Sequence, residues 1–395
     1  MAKANIRANL TTVASLERLG TETAFEVLAR AKKLEDEGRN IINLGIGQPD
    51  FTTPENIVEA AIKALKNGHH GYTPANGILP LREAVSEDIA NRRGVTVDPD
   101  HVVIMPGGKV TMFFAILMFG EPGAEIIYPN PGFPIYESVI NFSGATAVPM
   151  PLLEENDFGF NAEQVLELIT PKTRLLILNS PSNPTGGVFP KSEVDKLVAG
   201  LEKHPHVAVL SDEIYDRILY EGREHVCLLN YESLRDRLIL LNGWSKTYAM
   251  TGWRLGYSVW PVNLVEPVTR LAINCHSCVN AATQFAGIEA LKGPQDRVNH
   301  MVEAFTNRRQ IIQIELNQIP GFRCIEPGGA FYAFPNIEGT GFSAAELQNK
   351  LLTEAGIATI AGTSFGSYGE GYLRFSYANS EENIREAARR IKEVL

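Results

Sequence analysis

Lys246 lies in Asn242-Gly-Trp-Ser-Lys-Thr, a loop of small residues just past the apolar run 237–241. Lysine is the side chain that condenses with aldehydes, and open α/β sheets gather ligands at the carboxyl ends of their strands. An ordinary lysine is protonated at neutral pH, so this chemistry needs a pocket that tunes it. The plain alternative is a solvated loop lysine. A second apolar run, Val209-Leu-Ser-Asp-Glu-Ile-Tyr, closes on Asp212, with Tyr215 three residues on. A buried carboxylate needs a positive partner, and a protonated ring nitrogen would be one. Capping a helix is the alternative use of the same aspartate.

Four further segments carry groups of the same kind. Asn179-Ser-Pro-Ser-Asn-Pro-Thr-Gly-Gly is a rigid turn in which Asn183 offers a donor and an acceptor. Pro106-Gly-Gly-Lys-Val puts Gly108, Lys109 and Val110 between a strand and a helical run, where backbone N–H groups can face an anion. Arg254 follows Lys246 by eight residues and is suited to a phosphate, while Arg374 sits inside the apolar stretch Gly371-Tyr-Leu-Arg-Phe-Ser. A buried arginine must be paired, and a substrate carboxylate would pair it through two bonds. Together these residues match one ligand. It has an aldehyde for Lys246, a ring nitrogen for Asp212, a phenolic oxygen for Asn183 and Tyr215, and a phosphate for Arg254 and the Gly108 turn. That ligand is pyridoxal phosphate.

The elements that must position these groups are short apolar runs alternating with amphipathic helices. Residues 41–44, 101–105, 125–128, 145–150, 174–178, 207–210, 238–241 and 255–259 read as strands, rich in Val, Ile and Leu and bounded by Gly, Pro or Asn. Their unbroken apolar character suits a sheet covered on both faces. Helical patterns cover 80–93, 110–119, 191–203 and 299–317. Another opens at Thr53-Pro54, with Thr53 as cap and Ile57, Ala61, Ile62 and Leu65 on one face, and Gly68 can end it. The last hundred residues read as a smaller α+β unit, with strands at 322–325, 330–335, 357–360 and 372–376 and helices at 343–355 and 381–394. A helix over 16–37 has no sheet of its own and could join that unit.

Size and charge restrict the rest. The chain has 395 residues, 44% hydrophobic and 21% charged, which is ordinary globular composition and argues against disorder. A formal charge of −10 argues against a nucleic-acid function built on phosphate contacts. The most apolar stretch, 110–119, is half the length a bilayer span needs, and MAKANIRANL lacks a signal-peptide core. The four cysteines form no disulfide framework. Cys275-His-Ser-Cys278 is a single pair without a second for zinc, so no metal is expected and the thiols read as reduced and cytoplasmic.

Several motifs in fixed order give the chain a resemblance. They are Gly45-Ile-Gly-Gln-Pro-Asp-Phe, Tyr72-Thr-Pro-Ala-Asn-Gly, Asn179-Ser-Pro-Ser-Asn-Pro-Thr-Gly, Ser211-Asp-Glu-Ile-Tyr, Ser245-Lys-Thr-Tyr-Ala-Met-Thr-Gly-Trp-Arg-Leu-Gly, Gly329-Ala-Phe-Tyr and Gly371-Tyr-Leu-Arg-Phe-Ser-Tyr. The chain resembles the class I/II aminotransferases, fold-type-I pyridoxal-phosphate enzymes of the aspartate and aromatic type. The resemblance implies an α/β fold. A large domain at 48–290 would hold a mainly parallel seven-stranded sheet, with 1–47 as an N-terminal arm and part of a small α+β domain whose remainder is 291–395. It implies that Lys246 holds the cofactor aldehyde and shuttles the substrate proton, while Asp212 keeps the ring nitrogen protonated. Asn183 and Tyr215 would meet the ring oxygen, and Phe133 would stack on the ring. Gly108, Lys109, the Val110 N–H, Ser245 and Arg254 would hold the phosphate, joined by Tyr72 from a neighbouring subunit of a homodimer. Arg374, Asn183 and the Gly47 backbone would hold the substrate α-carboxylate.

Substrate choice is less marked. The loop 274–280 lacks the arginine with which some aspartate-type relatives bind a distal carboxylate. Lys109 matches the lysine another subgroup uses, and His276 is an alternative polar contact. The expected reaction moves the amino group of an L-amino acid, acidic or else aromatic, to a 2-oxo acid such as 2-oxoglutarate. A β-lyase on the same cofactor is the alternative. A regulator on this fold would carry a DNA-binding domain, for which the stretch before Gly45 leaves no room. Two weaker motifs fail on context. Gly45-x-Gly47 lacks its third glycine, and Gly362-Thr-Ser-Phe-Gly366 has no later histidine to complete a hydrolase triad.

Overall fold

The computed structural model describes residues 10–395, so most of the N-terminal decapeptide read above lies outside the described residues. The apolar runs become strands in chain order. The first four are β1 (Ile42–Asn43), β2 (Val102–Met105), β3 (Glu125–Asn130) and β4 (Thr146–Pro151). Next come β5 (Thr173–Asn179), β6 (Ala208–Asp212), β7 (Leu238–Gly243) and β8 (Gly256–Val259). The last four are short: β9 (Tyr332–Ala333), β10 (Ile357–Ala358), β11 (Ile360–Ala361) and β12 (Leu373–Ser376).

Seven strands form one sheet in the order β2-β8-β7-β6-β5-β3-β4. Neighbours from β7 to β4 are parallel, and β8 alone runs antiparallel to both of its neighbours. Alternate residues point to opposite faces, and both faces are buried. Val103, Ile126, Ile177, Leu210 and Ile239 join helices 108–119, 135–143 and 262–276 on one side. Ile104, Ile127, Leu176, Val209 and Leu240 join helices 55–66, 79–93, 191–201 and 281–292 on the other.

The smaller layer uses both ends of the chain. β1 pairs in parallel with β10, Ile42 opposite Ile357, while β11, β12 and β9 form an antiparallel trio. Ile42 and Leu44 share a core with Phe305, Ile312, Phe375 and Ile391.

Several expected elements differ in detail. The 357–360 run is two strands in two sheets, divided at Thr359, whose hydroxyl donates to Arg374 O at 2.7 Å. Residues 322–325 make only an isolated bridge, Arg323 to Asn336. The 343–355 helix is regular over Ala344–Lys350, capped by Ser343 and Glu346, then widens into a π turn at Leu351–Ala355. The 16–37 helix is broken. A 3-10 turn at Ala14–Arg18 precedes the helix Thr23–Asp36, which packs on β10 and β11. Helix Glu55–Lys66 begins one residue later than read, because Pro54 is its cap and Thr53 is engaged elsewhere. The Thr53 hydroxyl donates to Ala249 O and accepts from Trp253 Nε1. Its buried face is Ile57, Ala61 and Ala64, and Leu65 is exposed.

Candidate active site

The carboxyl ends of β5, β6 and β7 lie side by side, Asn179 opposite Asp212 and Asp212 opposite Leu241. Asp212 is buried at this edge. Its Oδ2 accepts from the Tyr136 hydroxyl at 2.7 Å and its Oδ1 from Ile214 N–H at 3.2 Å. Burial pushes the carboxyl from 3.8 up to about 6, against the pull of those two hydrogen bonds. The aspartate thus caps no long helix. It is held, costly and poised, for a positive partner.

Lys246, three residues past β7, is half-buried and reaches across to Gly47 O at 2.5 Å. Its Nζ stands 5.9 Å from the Tyr215 ring centre and 5.8 Å from that of Phe331. Burial, helped by the nearby Arg374 charge, brings it from 10.5 down to about 8. A sizeable fraction is therefore neutral at mildly alkaline pH, as a nucleophilic amine must be.

Arg374, in β12, is buried between two aromatic faces, 4.7 Å from the ring centres of Tyr332 and Phe365. Nη1 donates to Asn183 Oδ1 at 2.8 Å and Nη2 to Gly45 O at 2.5 Å. Nε has no hydrogen-bond partner, and among the described residues the guanidinium's acceptors are an amide and a carbonyl, with no carboxylate. Asn183 is steadied in turn by its N–H on Asn179 Oδ1, and the Tyr215 and Tyr332 hydroxyls meet at 2.8 Å.

The glycine turn follows β2. Gly107 has φ +94°, and helix Gly108–Phe119 begins immediately after it. A Cβ on Gly107 would stand 2.2 Å from Arg254 Nη2, so only glycine lets that guanidinium lie on the turn. Arg254, itself at φ +54°, donates to Thr251 O and Pro106 O and stays exposed. Val110 N–H is directed at Gly107 O, 3.3 Å away. Lys109 Nζ lies 5.4 Å from the Phe133 ring centre and pairs with Glu22.

One cleft of about 490 Å³ is lined by Gly47, Gly108, Lys109, Phe133, Asn183, Asp212, Tyr215, Ser245, Lys246, Arg254 and Arg374. That volume suits a small ligand. Tyr72 and His276 are not brought to it. Tyr72 is 93% exposed, and the His276 ring stacks on Phe114. Among the lining residues that had no role in the sequence reading are Tyr136, Tyr332 and Glu22. Tyr332 lies in the Gly329-Ala-Phe-Tyr motif, whereas nothing local to Tyr136 or Glu22 marks them.

The donor set fits pyridoxal phosphate. A buried carboxyl awaits a cation, an amine has lowered proton affinity, and a glycine-cradled guanidinium flanks a helix start. Similarity to known proteins points the same way. The family described as aminotransferase class I and II matches residues 39–391. The chain is 40% identical to an aspartate aminotransferase of Pyrococcus horikoshii over 372 residues, 94% of this chain and 93% of the relative. It is 37% identical to aromatic-amino-acid aminotransferase 2 of Thermococcus litoralis, covering 90% of this chain and 92% of the relative. Its fold matches the solved aspartate aminotransferase from Thermus thermophilus with maleate at a TM-score of 0.93 and 33% identity, covering 98% of this chain and all of that one. The chain therefore belongs to the class I and II aminotransferases and is a pyridoxal-phosphate-dependent transaminase.

Proposed function

We propose that this transaminase moves the amino group of an acidic L-amino acid, and also of an aromatic one, to a 2-oxo acid such as 2-oxoglutarate. Donor and acceptor use the same cleft in turn, in a ping-pong sequence. The observation that carries this is Arg374, a buried guanidinium with a free Nε, no carboxylate of its own and two aromatic walls, close enough to Lys246 for its charge to be felt there. An α-carboxylate bound there would bring the substrate Cα toward the lysine. Lys109 supports the acidic preference as a cation elsewhere in the cleft, and the names of the two relatives above support both substrate classes.

Pyridoxal phosphate, when bound, supplies an aldehyde that links to amines and a ring that withdraws the electron pair left at the substrate Cα. Each residue's work follows from its surroundings. Lys246 Nζ is the amine that would carry the substrate Cα proton. Asp212, oriented by the Tyr136 hydroxyl and the Ile214 N–H, holds a proton on the ring nitrogen. That new charge is the partner its buried carboxylate lacks. Asn183, Tyr215 and Phe133 are the residues that would hold the ring. Gly108, Ser245 and Arg254 would hold the phosphate, with Tyr72 contributed by a second subunit. The exposed apolar Leu10, Val13, Leu16 and Leu19 support such a homodimer, because monomeric surfaces seldom leave runs of this kind uncovered. The four free cysteines support a reducing, cytoplasmic setting. No helix among the described residues is long and apolar enough to cross a membrane.

The test is a single-substrate half-reaction. The yellow, cofactor-loaded enzyme is mixed with one amino acid at a time and its absorbance followed. Aspartate, glutamate and phenylalanine should each convert it to the pyridoxamine form. Failure of all three would remove this substrate assignment, and pyruvate release without an amino acceptor would favour a lyase.

A further inference from the structure

One ion pair in the cleft has no part in the roles above. Glu22 is the residue just before helix Thr23–Asp36, and its carboxylate accepts from Lys109 Nζ. The Glu22 side chain is 15% exposed and that of Lys109 43%, so the pair lies at the mouth of the cleft rather than out in water. The acidic lining residues are Glu22 and Asp212, and the cationic ones are Lys109, Lys246, Arg254 and Arg374. Asp212 faces the ring nitrogen, Arg254 the phosphate, Arg374 the α-carboxylate, and Lys246 does the chemistry. Lys109 is the one charge left for a substrate side chain, and Glu22 already holds it.

Glu22 is also placed to let go. Its side chain makes no cap hydrogen bond to its own helix, and Lys109 is its partner among the described residues. It ends the stretch 19–22, which lies between a 3-10 turn and the helix and belongs to neither. That stretch is fastened at both ends, by Arg18 Nε on Asn141 O at 2.8 Å and by Thr23 Oγ1 on Ser364 Oγ at 2.5 Å. A side-chain rotation at Glu22 can therefore free Lys109 without unfolding either neighbour.

On the reading of Lys109 given above, we propose that Glu22 is the specificity-determining residue of the side-chain pocket. It is an internal carboxylate that keeps Lys109 when the substrate side chain is uncharged and yields it when the substrate brings a second carboxylate. An aromatic side chain then meets a neutral pair beside Phe133, Leu28 and Ile46. A dicarboxylic substrate must displace a like charge before it is held. Glu22 thus sets the balance between the two classes by a difference of affinities, with repulsion as one of its parts.

Binding of two amine-free probes to the cofactor-loaded enzyme tests this: maleate, a dicarboxylate, and 3-phenylpropionate, an aromatic monocarboxylate. Dissociation constants are read from the cofactor absorbance for the native enzyme, Glu22→Gln and Lys109→Ala. Glu22→Gln keeps the side-chain size and removes its charge. It should shift the affinity ratio toward maleate roughly fivefold, the weight of one partly exposed ion pair. Lys109→Ala should shift the ratio the other way. A ratio that stays put or moves toward phenylpropionate in Glu22→Gln, while Lys109→Ala weakens maleate, overturns the role of Glu22 alone. Maleate binding that ignores Lys109→Ala overturns the reading of Lys109 on which it rests.

Discussion

At the scale of single residues, the cleft is built from groups held away from their ordinary protonation. Asp212 is the clearest case. With its folded value raised from 3.8 to about 6, the folded chain binds a proton there more tightly than the unfolded chain does. Stability without cofactor therefore falls as pH rises from about 4 to about 6, and the loss is complete above that range. The interval corresponds to roughly 3 kcal/mol. Asp212→Asn removes the charge and can still accept from Ile214 N–H. Thermal melts of the cofactor-free protein should show this variant more stable than the native chain at pH 7.5, with the advantage fading toward pH 4, while transamination is nearly abolished. An advantage that does not change with pH would refute the argument. Lys246 gives a second case. Arg374 helps burial to lower it, so Arg374→Gln should raise the pH midpoint for capture of pyridoxal phosphate above about 8. A stopped-flow pH series on the cofactor-free protein would show the shift. Lys246, Asp212 and Arg374 were legible in the sequence because each is a reactive or charged type set in an apolar strand or in the loop just past one. Tyr136 was not, since only the fold brings its hydroxyl to a carboxylate 76 residues away.

At the scale of elements, the turn after β2 holds more than its sequence signal suggests. Gly107, Gly108, Arg254 and Gly256 interlock. A Cβ on Gly107 would meet the Arg254 guanidinium, and one on Gly256 would stand 2.7 Å from the Gly107 carbonyl carbon. Gly107→Ala should thus pay twice, through a left-handed φ that costs about 1–2 kcal/mol and through displacement of Arg254. Its dissociation constant for pyridoxal phosphate, followed by fluorescence quenching, should rise about tenfold or more, whereas Gly123→Ala, in open space at φ +93°, should show the strain without that rise. The sheet strands were readable because each is a short apolar run bounded by turn residues. Two of the missed helices lack the pattern that would betray them. Helix Ala281–Lys292 buries Ala282, Thr283, Gln284, Ala286, Gly287 and Ala290, small and polar residues without an apolar stripe, and Val262–His276 carries Pro267 inside it. The N-terminal break at 19–22 was hidden for the opposite reason. Leucines at 16 and 19 keep a helical spacing through a stretch whose direction is set by contacts with Asn141, Phe142 and Ser364.

At the scale of the whole molecule, Tyr72 poses the problem that a single chain leaves open. It is 93% exposed and stands off the cleft, yet Tyr72-Thr-Pro-Ala-Asn-Gly is one of the motifs that carry the resemblance. The proposed homodimer resolves this if each Tyr72 serves the other subunit, and closed two-fold pairing would then make both sites equivalent. The arrangement has a consequence that no single-chain role can imitate. Tyr72→Ala should lose cofactor on dilution, and Lys246→Ala should fold and yet show no turnover. Each homodimer is then impaired at both of its sites. Unfolding and refolding the two variants together at equal amounts should give half mixed dimers. In these, the Tyr72→Ala subunit supplies Lys246 to one site and the Lys246→Ala subunit supplies Tyr72 to that same site. With pyridoxal phosphate at stoichiometric concentration, the mixture should recover about a quarter of native activity, because half the dimers each carry one complete site of two. Activity no higher than the mean of the two separately refolded variants would mean that Tyr72 serves its own subunit or none, and the shared site would have to be abandoned.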